Sequence, residues 1–178
     1  MPVADAIFRG WLGEWRLHRN IDNRHPSGFS GRVVGRATFV PSSSDACRYH
    51  EDGLLHRAGM SPVRVHRDYV YVYDRSRDRL SVHFSAGAEC GYLMCHLRLL
   101  PPDGEKAPAM WPSHMPTSWR LQGVHPCGAD TYQVMHHVTI AGTAVQAMEV
   151  VYEVSGPTKD YTSWAEYTRP VAATGRLL

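Results

Sequence analysis

Near the start of this chain a charged residue lands on the apolar face of a strand. In Trp15-Arg16-Leu17-His18-Arg19-Asn20-Ile21 the odd positions read Trp, Leu, Arg, Ile, and the even ones are polar. Side chains alternate faces along a strand, so Arg19 shares the buried face with Trp15, Leu17 and Ile21. An isolated guanidinium is costly to bury, so a carboxylate or an anionic ligand must face it. The pattern recurs. Arg67 falls on a face with Tyr69 and Tyr71, Arg169 with Tyr161 and Tyr167, and Glu51 with Tyr49. A planar guanidinium flanked by tyrosine hydroxyls can hold a carboxylate or phosphate bidentately. Two readings stay open: an Arg19–Glu51 pair that closes one end of a barrel, or an anion-binding cavity.

Three further groups could carry chemistry. His96 alternates with Tyr92, Met94 and Arg98, opposite Leu93, Cys95, Leu97 and Leu99. If the leucine face packs outward, His96 points into the cavity and is the best general acid–base candidate, because its ordinary pKa lies near neutrality. His125-Pro126-Cys127-Gly128-Ala129-Asp130 brings an imidazole, a thiol and a carboxylate together. It reads either as part of a catalytic or metal site or as a turn in which Asp130 accepts nearby amides. No second pair at ligand spacing accompanies it, so no metal is expected. Lys159, in Gly156-Pro157-Thr158-Lys159, could meet a ligand's charge at a barrel mouth or simply be solvated. No phosphate-binding glycine loop, HExxH or GxSxG is present, which leaves nucleotide-driven chemistry and the commonest hydrolase mechanisms without support.

The elements that must position these residues are strands. A short helix over 4–11 precedes segments rich in β formers at 15–22, 31–40, 47–56, 62–74, 80–85, 92–99, 118–124, 131–140, 145–155 and 161–169. Gly, Pro, Asn, Asp and Ser separate them. Residues 101–116 form an irregular Pro-rich insertion with Pro101, Pro102, Pro108, Pro112 and Pro116, and 171–178 form a tail. A meander of this many strands closes to remove its edges. The expected fold is therefore all-β: one antiparallel, calycin-like barrel of about eight to ten strands with a short N-terminal helix, spanning 1–178 as one domain.

Composition narrows the classes. A length of 178 residues and 43% apolar content suit one globular domain. The net charge of +2 is too small, and the basic residues too dispersed, for nucleic acid. No apolar run could span a bilayer and no secretory leader is evident, so membrane partners are not expected and the cytoplasm is the expected compartment. The four cysteines, Cys47, Cys90, Cys95 and Cys127, show no CxxC spacing and read as free thiols.

The sequence also resembles a known family. Gly13-Glu14-Trp15-Arg16-Leu17-His18-Arg19-Asn20-Ile21 is similar to the G-x-W-x-L-x-R-x-I opening of the DUF6314 family. The likeness continues through Gly28-Phe29-Ser30-Gly31, Tyr49-His50-Glu51-Asp52-Gly53, Arg67-Asp68-Tyr69-Val70-Tyr71, Cys95-His96-Leu97 and His125-Pro126-Cys127-Gly128-Ala129-Asp130-Thr131-Tyr132. It closes with Gly156-Pro157-Thr158-Lys159-Asp160-Tyr161 and Tyr167-Thr168-Arg169. The resemblance implies a lipocalin-like barrel and carries no established activity. The 101–116 insertion and the extra histidines depart from the family's pattern.

Together these observations point to a barrel that binds a small, anionic and partly apolar molecule. Its lining residues would be Arg19, Tyr49, Glu51, Arg67, Tyr69, Tyr71, His96, Tyr167 and Arg169. The alternative is a barrel isomerase, cyclase or lyase in which His96 moves a proton and Glu51 or Asp130 assists. A haem barrel with His96 or His136 as axial ligand is a third reading, and a barrel filled by its own side chains a fourth. No cofactor is required by the first reading, and a homodimer is compatible with it.

Overall fold

The computed structural model describes residues 2–87, 89–100, 117–142 and 144–170. The 101–116 insertion and the 171–178 tail lie outside the described residues. The elements are α1 (Val3–Trp11), β1 (Gly13–Asn23), β2 (Gly31–Pro41), β3 (Ala46–His56), β4 (Val63–Asp74) and β5 (Arg79–Ala86). They continue with β6 (Glu89–Leu100), β7 (Thr117–Cys127), β8 (Asp130–Ala141), β9 (Ala144–Ser155) and β10 (Tyr161–Thr168). Each strand pairs antiparallel with its chain neighbours, and β1 pairs with β10, so ten strands close into one barrel. Closure satisfies the backbone groups that an open sheet would leave at its edges. No described helix is long and apolar enough to cross a membrane.

Alternation along the strands fills the interior. On β1, Trp15, Leu17 and Arg19 are buried and their neighbours exposed. Facing rows carry Ala37, Gly35 and Gly53 across from Trp15 and Leu17. These small residues leave interior space for long side chains from other strands. Gly35 cannot be enlarged, because a Cβ there would sit 2.2 Å from the Asp52 carbonyl oxygen.

Helix α1 seals one end. Ala4, Ile7, Phe8 and Trp11 recur at helical spacing and are buried. Trp11 packs 5.9 Å from Phe39, 5.2 Å from Tyr71 and 5.7 Å from His136, ring centre to ring centre. Gly10 lets the helix backbone approach β9, since a Cβ would meet Val145 at 2.4 Å. The last helical carbonyls are held from the barrel. The Trp15 indole donates to the Trp11 carbonyl at 2.7 Å, and Arg169 donates to the carbonyls of Gly10 and Leu12 at 2.5 and 3.0 Å. A cation at a helix C-terminus also meets the negative end of its dipole.

Strand β6 departs from simple alternation. Val82 on β5 pairs with Cys95, whereas His83 pairs with Leu93, so Met94 is an extra residue in β6. This bulge reverses the faces: Met94 and Cys95 are both buried, and Cys95 and Leu97 then point inward. His96 consequently faces outward and is exposed, not in the cavity as its alternation with Tyr92 and Met94 suggests.

Truncating the helical plug tests its contribution. Trp11→Ala is expected to lower unfolding free energy by about 3–5 kcal/mol, read as a reduced urea midpoint with an unchanged m-value.

Candidate functional site

Beneath the plug lies a polar layer built from β1, β3 and β10. Arg19 and Glu51 form a bidentate ion pair, with Arg19 Nη2 2.7 Å from Glu51 Oε2 and Arg19 Nη1 on Oε1. Both side chains are almost wholly buried. The Tyr49 hydroxyl donates to Glu51 Oε2. The Tyr167 hydroxyl, 2.8 Å from that of Tyr49, must therefore donate to Tyr49, while its own oxygen faces Arg19 Nη2 at 3.4 Å. The result is a closed ring of donors and acceptors. Burial alone would push the Glu51 carboxyl up. The hydrogen bonds and charge of Arg19, then Arg67 and Tyr49, outweigh it and hold Glu51 below the ordinary carboxylate value. Burial pushes the Tyr49 and Tyr167 hydroxyls up, so both stay protonated donors.

Little space remains in this layer. The gap among Arg19, Tyr49, Glu51, Tyr71 and Tyr167 amounts to about 10 Å³, at the lower limit for a single water. Arg19 meets its carboxylate inside the protein, which is the first of the two readings of the sequence. The anion-cavity reading is corrected for Arg19, Tyr49, Glu51, Tyr71 and Tyr167. They form a filled floor because interior side chains from four strands, β1, β3, β4 and β10, converge there.

Above the floor the barrel opens into a cup of about 370 Å³. Its wall is made by Ile21, Asn23, His25 and Phe29 from β1 and the following loop, and by Thr158, Lys159, Tyr161 and Ser163 from the β9–β10 turn and β10. Arg67 is the link between the levels: it borders both the cup and the floor. Its Nε lies 3.8 Å from Glu51 Oε1, its side chain is 33% exposed, and its guanidinium lies 5.9 Å from the Tyr152 ring centre. Among the described residues no hydrogen bond to this guanidinium is formed. Glu51 is the one carboxylate shared by two guanidinium groups, so Arg19, Glu51 and Arg67 together carry one excess positive charge. Ser163 adds a buried hydroxyl without a hydrogen-bond partner among the described residues.

The remaining candidates are dispersed. Arg169 lies beyond β10 at the sealed end, stacked 3.7 Å from the Trp15 ring, where it holds α1. It does not line the cavity, because strand β10 ends at Thr168 and the Arg169 guanidinium is bonded to the Gly10 and Leu12 carbonyls. Asp130 accepts from the Thr158 and Lys159 amides at 3.0 and 3.3 Å and from the Thr158 hydroxyl. These bonds pin the 155–160 turn and lower the Asp130 pKa. The amides it accepts belong to the β9–β10 turn and not, as the turn reading of the motif expects, to its own 126–130 segment. His125 donates from Nδ1 to the Met94 carbonyl at 3.0 Å. Among the described residues no group of three or more His, Cys, Asp and Glu is placed to hold a metal. His136 is sealed between Trp11 and Tyr71 with no room for a haem, and His96 lies outside. Tyr69 is half-buried beside Arg67. Tyr152 at the floor gap and the cup residues Ser163, Ile21 and Phe29 do not figure in the sequence reading as a site. The alternation Val150, Tyr152, Val154 could have revealed Tyr152, whereas Phe29 is placed by a loop.

Two consequences are measurable. Glu51→Gln leaves Arg19 buried without its counter-charge and is expected to cost about 3–5 kcal/mol, while Arg19→Met combined with Glu51→Leu recovers most of it. Because the folded pKa of Glu51 is depressed, its contribution is complete above the unfolded value and is lost as pH falls through the folded one. The stability gap between wild type and Glu51→Gln should therefore narrow on the acid side of the ordinary carboxylate range. His136 has the second signature. Burial, then His137, pushes its pKa from 6.5 down to about 3. Between those values the unfolded chain takes up a proton that the folded chain refuses, so stability falls with pH across that window. His136→Leu should flatten this part of the melting-temperature profile.

Comparison with solved structures agrees with the architecture. The S-type phycobiliprotein lyase CPES from Guillardia theta superposes with a TM-score of 0.58 at 10% sequence identity, over 97% of this chain and 94% of that one. At that identity the likeness concerns the fold. No curated protein matches the sequence. The family model for DUF6314, a family of unknown function, matches residues 11–169. That span takes in the β1 motif, the Arg19–Glu51 floor, the cup and Arg169, and the chain belongs to the DUF6314 family.

Proposed function

We propose that this protein binds a small molecule with one anionic group and an apolar or aromatic body in the cup. The observation that carries this reading is Arg67: a part-exposed guanidinium with no hydrogen bond among the described residues, above a floor that already holds a full ion pair. A carboxylate or phosphate would meet the excess charge at the Nη edge, where the surrounding protein strengthens the contact relative to bulk water. Ile21, Phe29 and Tyr161 offer apolar surface to the rest of the molecule. The cup volume falls within the range of small-molecule sites. Ser163 supplies one more donor on the wall. A fold shared with a phycobiliprotein lyase is compatible with a ligand-handling barrel.

Thermal unfolding with matched probes tests the reading. 4-Phenylbutyrate should raise the melting temperature where 4-phenylbutyramide does not, and Arg67→Gln should abolish the difference. Saturation at 100 times the dissociation constant corresponds to about 2.7 kcal/mol of added stability. Equal shifts from acid and amide, or an undiminished shift in Arg67→Gln, would remove Arg67 as the anion contact. Native mass spectrometry of gently purified protein, beside a denatured sample, would weigh any ligand carried from the cell.

A further inference from the structure

The inward face of the barrel is finished differently at its two ends. At the sealed end Phe39, Tyr49, Tyr71 and Tyr73 are 1–4% exposed. At the open end the inward aromatics Tyr161, Tyr132, His125, Phe84 and Tyr69 are all only half-buried. The register confirms that they point inward. His125 pairs with Tyr132 and Tyr132 with Val154, which is buried and pairs with Tyr161; Tyr69 pairs with Phe84. They form one continuous arc. Successive ring centres lie 6.5, 5.8, 5.4 and 6.1 Å apart from Tyr161 to Tyr69, at steep interplanar angles.

The arc begins on the cup wall and ends beside Arg67. Tyr161 lines the cup, and Tyr69 adjoins Arg67 at the small gap of the floor beneath it. Both cations of the cup lie over tyrosine rings: Arg67 over Tyr152 at 5.9 Å and Lys159 over Tyr132 at 5.3 Å. If these rings served only to fill the barrel, they would be covered as their counterparts under the helix are. Aliphatic side chains would also cover an irregular hydrocarbon equally well. An unbroken series of ring faces and edges favours a planar π-system, which gains quadrupole interactions beyond the area it buries.

We infer that the ligand is a flat, conjugated ring compound bearing an acid, its acid on Arg67 and its ring plane against the arc from Tyr161 to Tyr69. The inference rests on the anion site proposed above and adds the chemistry of the ligand body.

Isothermal titration of the full chain with 2-naphthoate and with decahydro-2-naphthoate, which share a carbon skeleton, separates the two claims. The flat acid should bind at least tenfold more tightly. Phe84→Leu and Tyr132→Leu should each weaken 2-naphthoate by about two- to tenfold and leave the saturated acid unchanged, with melting curves confirming that each variant folds. The comparison on the wild-type protein stands without either variant. Equal affinities for the two acids would overturn the planar ligand and leave the Arg67 anion site intact. A preference unaffected in both folded variants would also overturn it, because the discriminating rings would lie elsewhere. Binding of neither acid would remove the anion site together with the planar ligand.

Discussion

The buried pair between Arg19 and Glu51 is the constraint around which the interior is arranged. The two residues do not face each other along a rung of the sheet: Arg19 pairs with Val33 and Ala165, and Glu51 with Ala37 and Arg67. They meet through the interior, so their bond sets how the wall of β1 lies relative to that of β3. A charge pair in a low-dielectric interior is tolerated only when its geometry is good and its remaining groups are hydrogen-bonded. The hydroxyls of Tyr49 and Tyr167 meet part of that requirement, at Glu51 and at Arg19 Nη2, while Arg19 Nε is buried without a partner among the described residues. The small residues Gly35, Gly53 and Ala37 provide the volume in which the long side chains lie.

The same pair divides the barrel. On one side Trp11, Phe39 and Tyr71 complete an apolar core beneath α1. On the other the interior stays open, and the second cation of the layer, Arg67, has no carboxylate of its own. Placing two guanidinium groups near one carboxylate gives stability to the floor and leaves a positive charge at the base of the cup. Structure and the proposed recognition thus draw on one set of side chains, and Glu51 joins them through its contacts with Arg19 and Arg67.

A barrel shared at 10% identity shows how little of the fold depends on particular side chains. Alternation, turn residues and small interior positions can be met by many sequences, so binding chemistry is free to change inside a constant frame.

The sequence by itself determined the barrel. Ten alternating segments bounded by turn residues match the ten strands to within a few residues at their ends, because strand periodicity and turn chemistry are local properties. The burial of Arg19 followed from the same alternation, and its need for a partner from the cost of burying a charge. Tertiary structure decided what the partner is and where the space lies. Whether Arg19 meets Glu51 or a ligand depends on contacts across 32 residues of chain. One inserted residue at Met94 was enough to turn His96 out of the cavity, since a period of two reverses with a single extra residue. Arg169 follows the strand pattern in sequence yet passes the end of β10 to hold α1. The cup is likewise a property of the closed barrel: it exists because strands distant in sequence surround a volume that the helix, placed at the opposite end, does not fill.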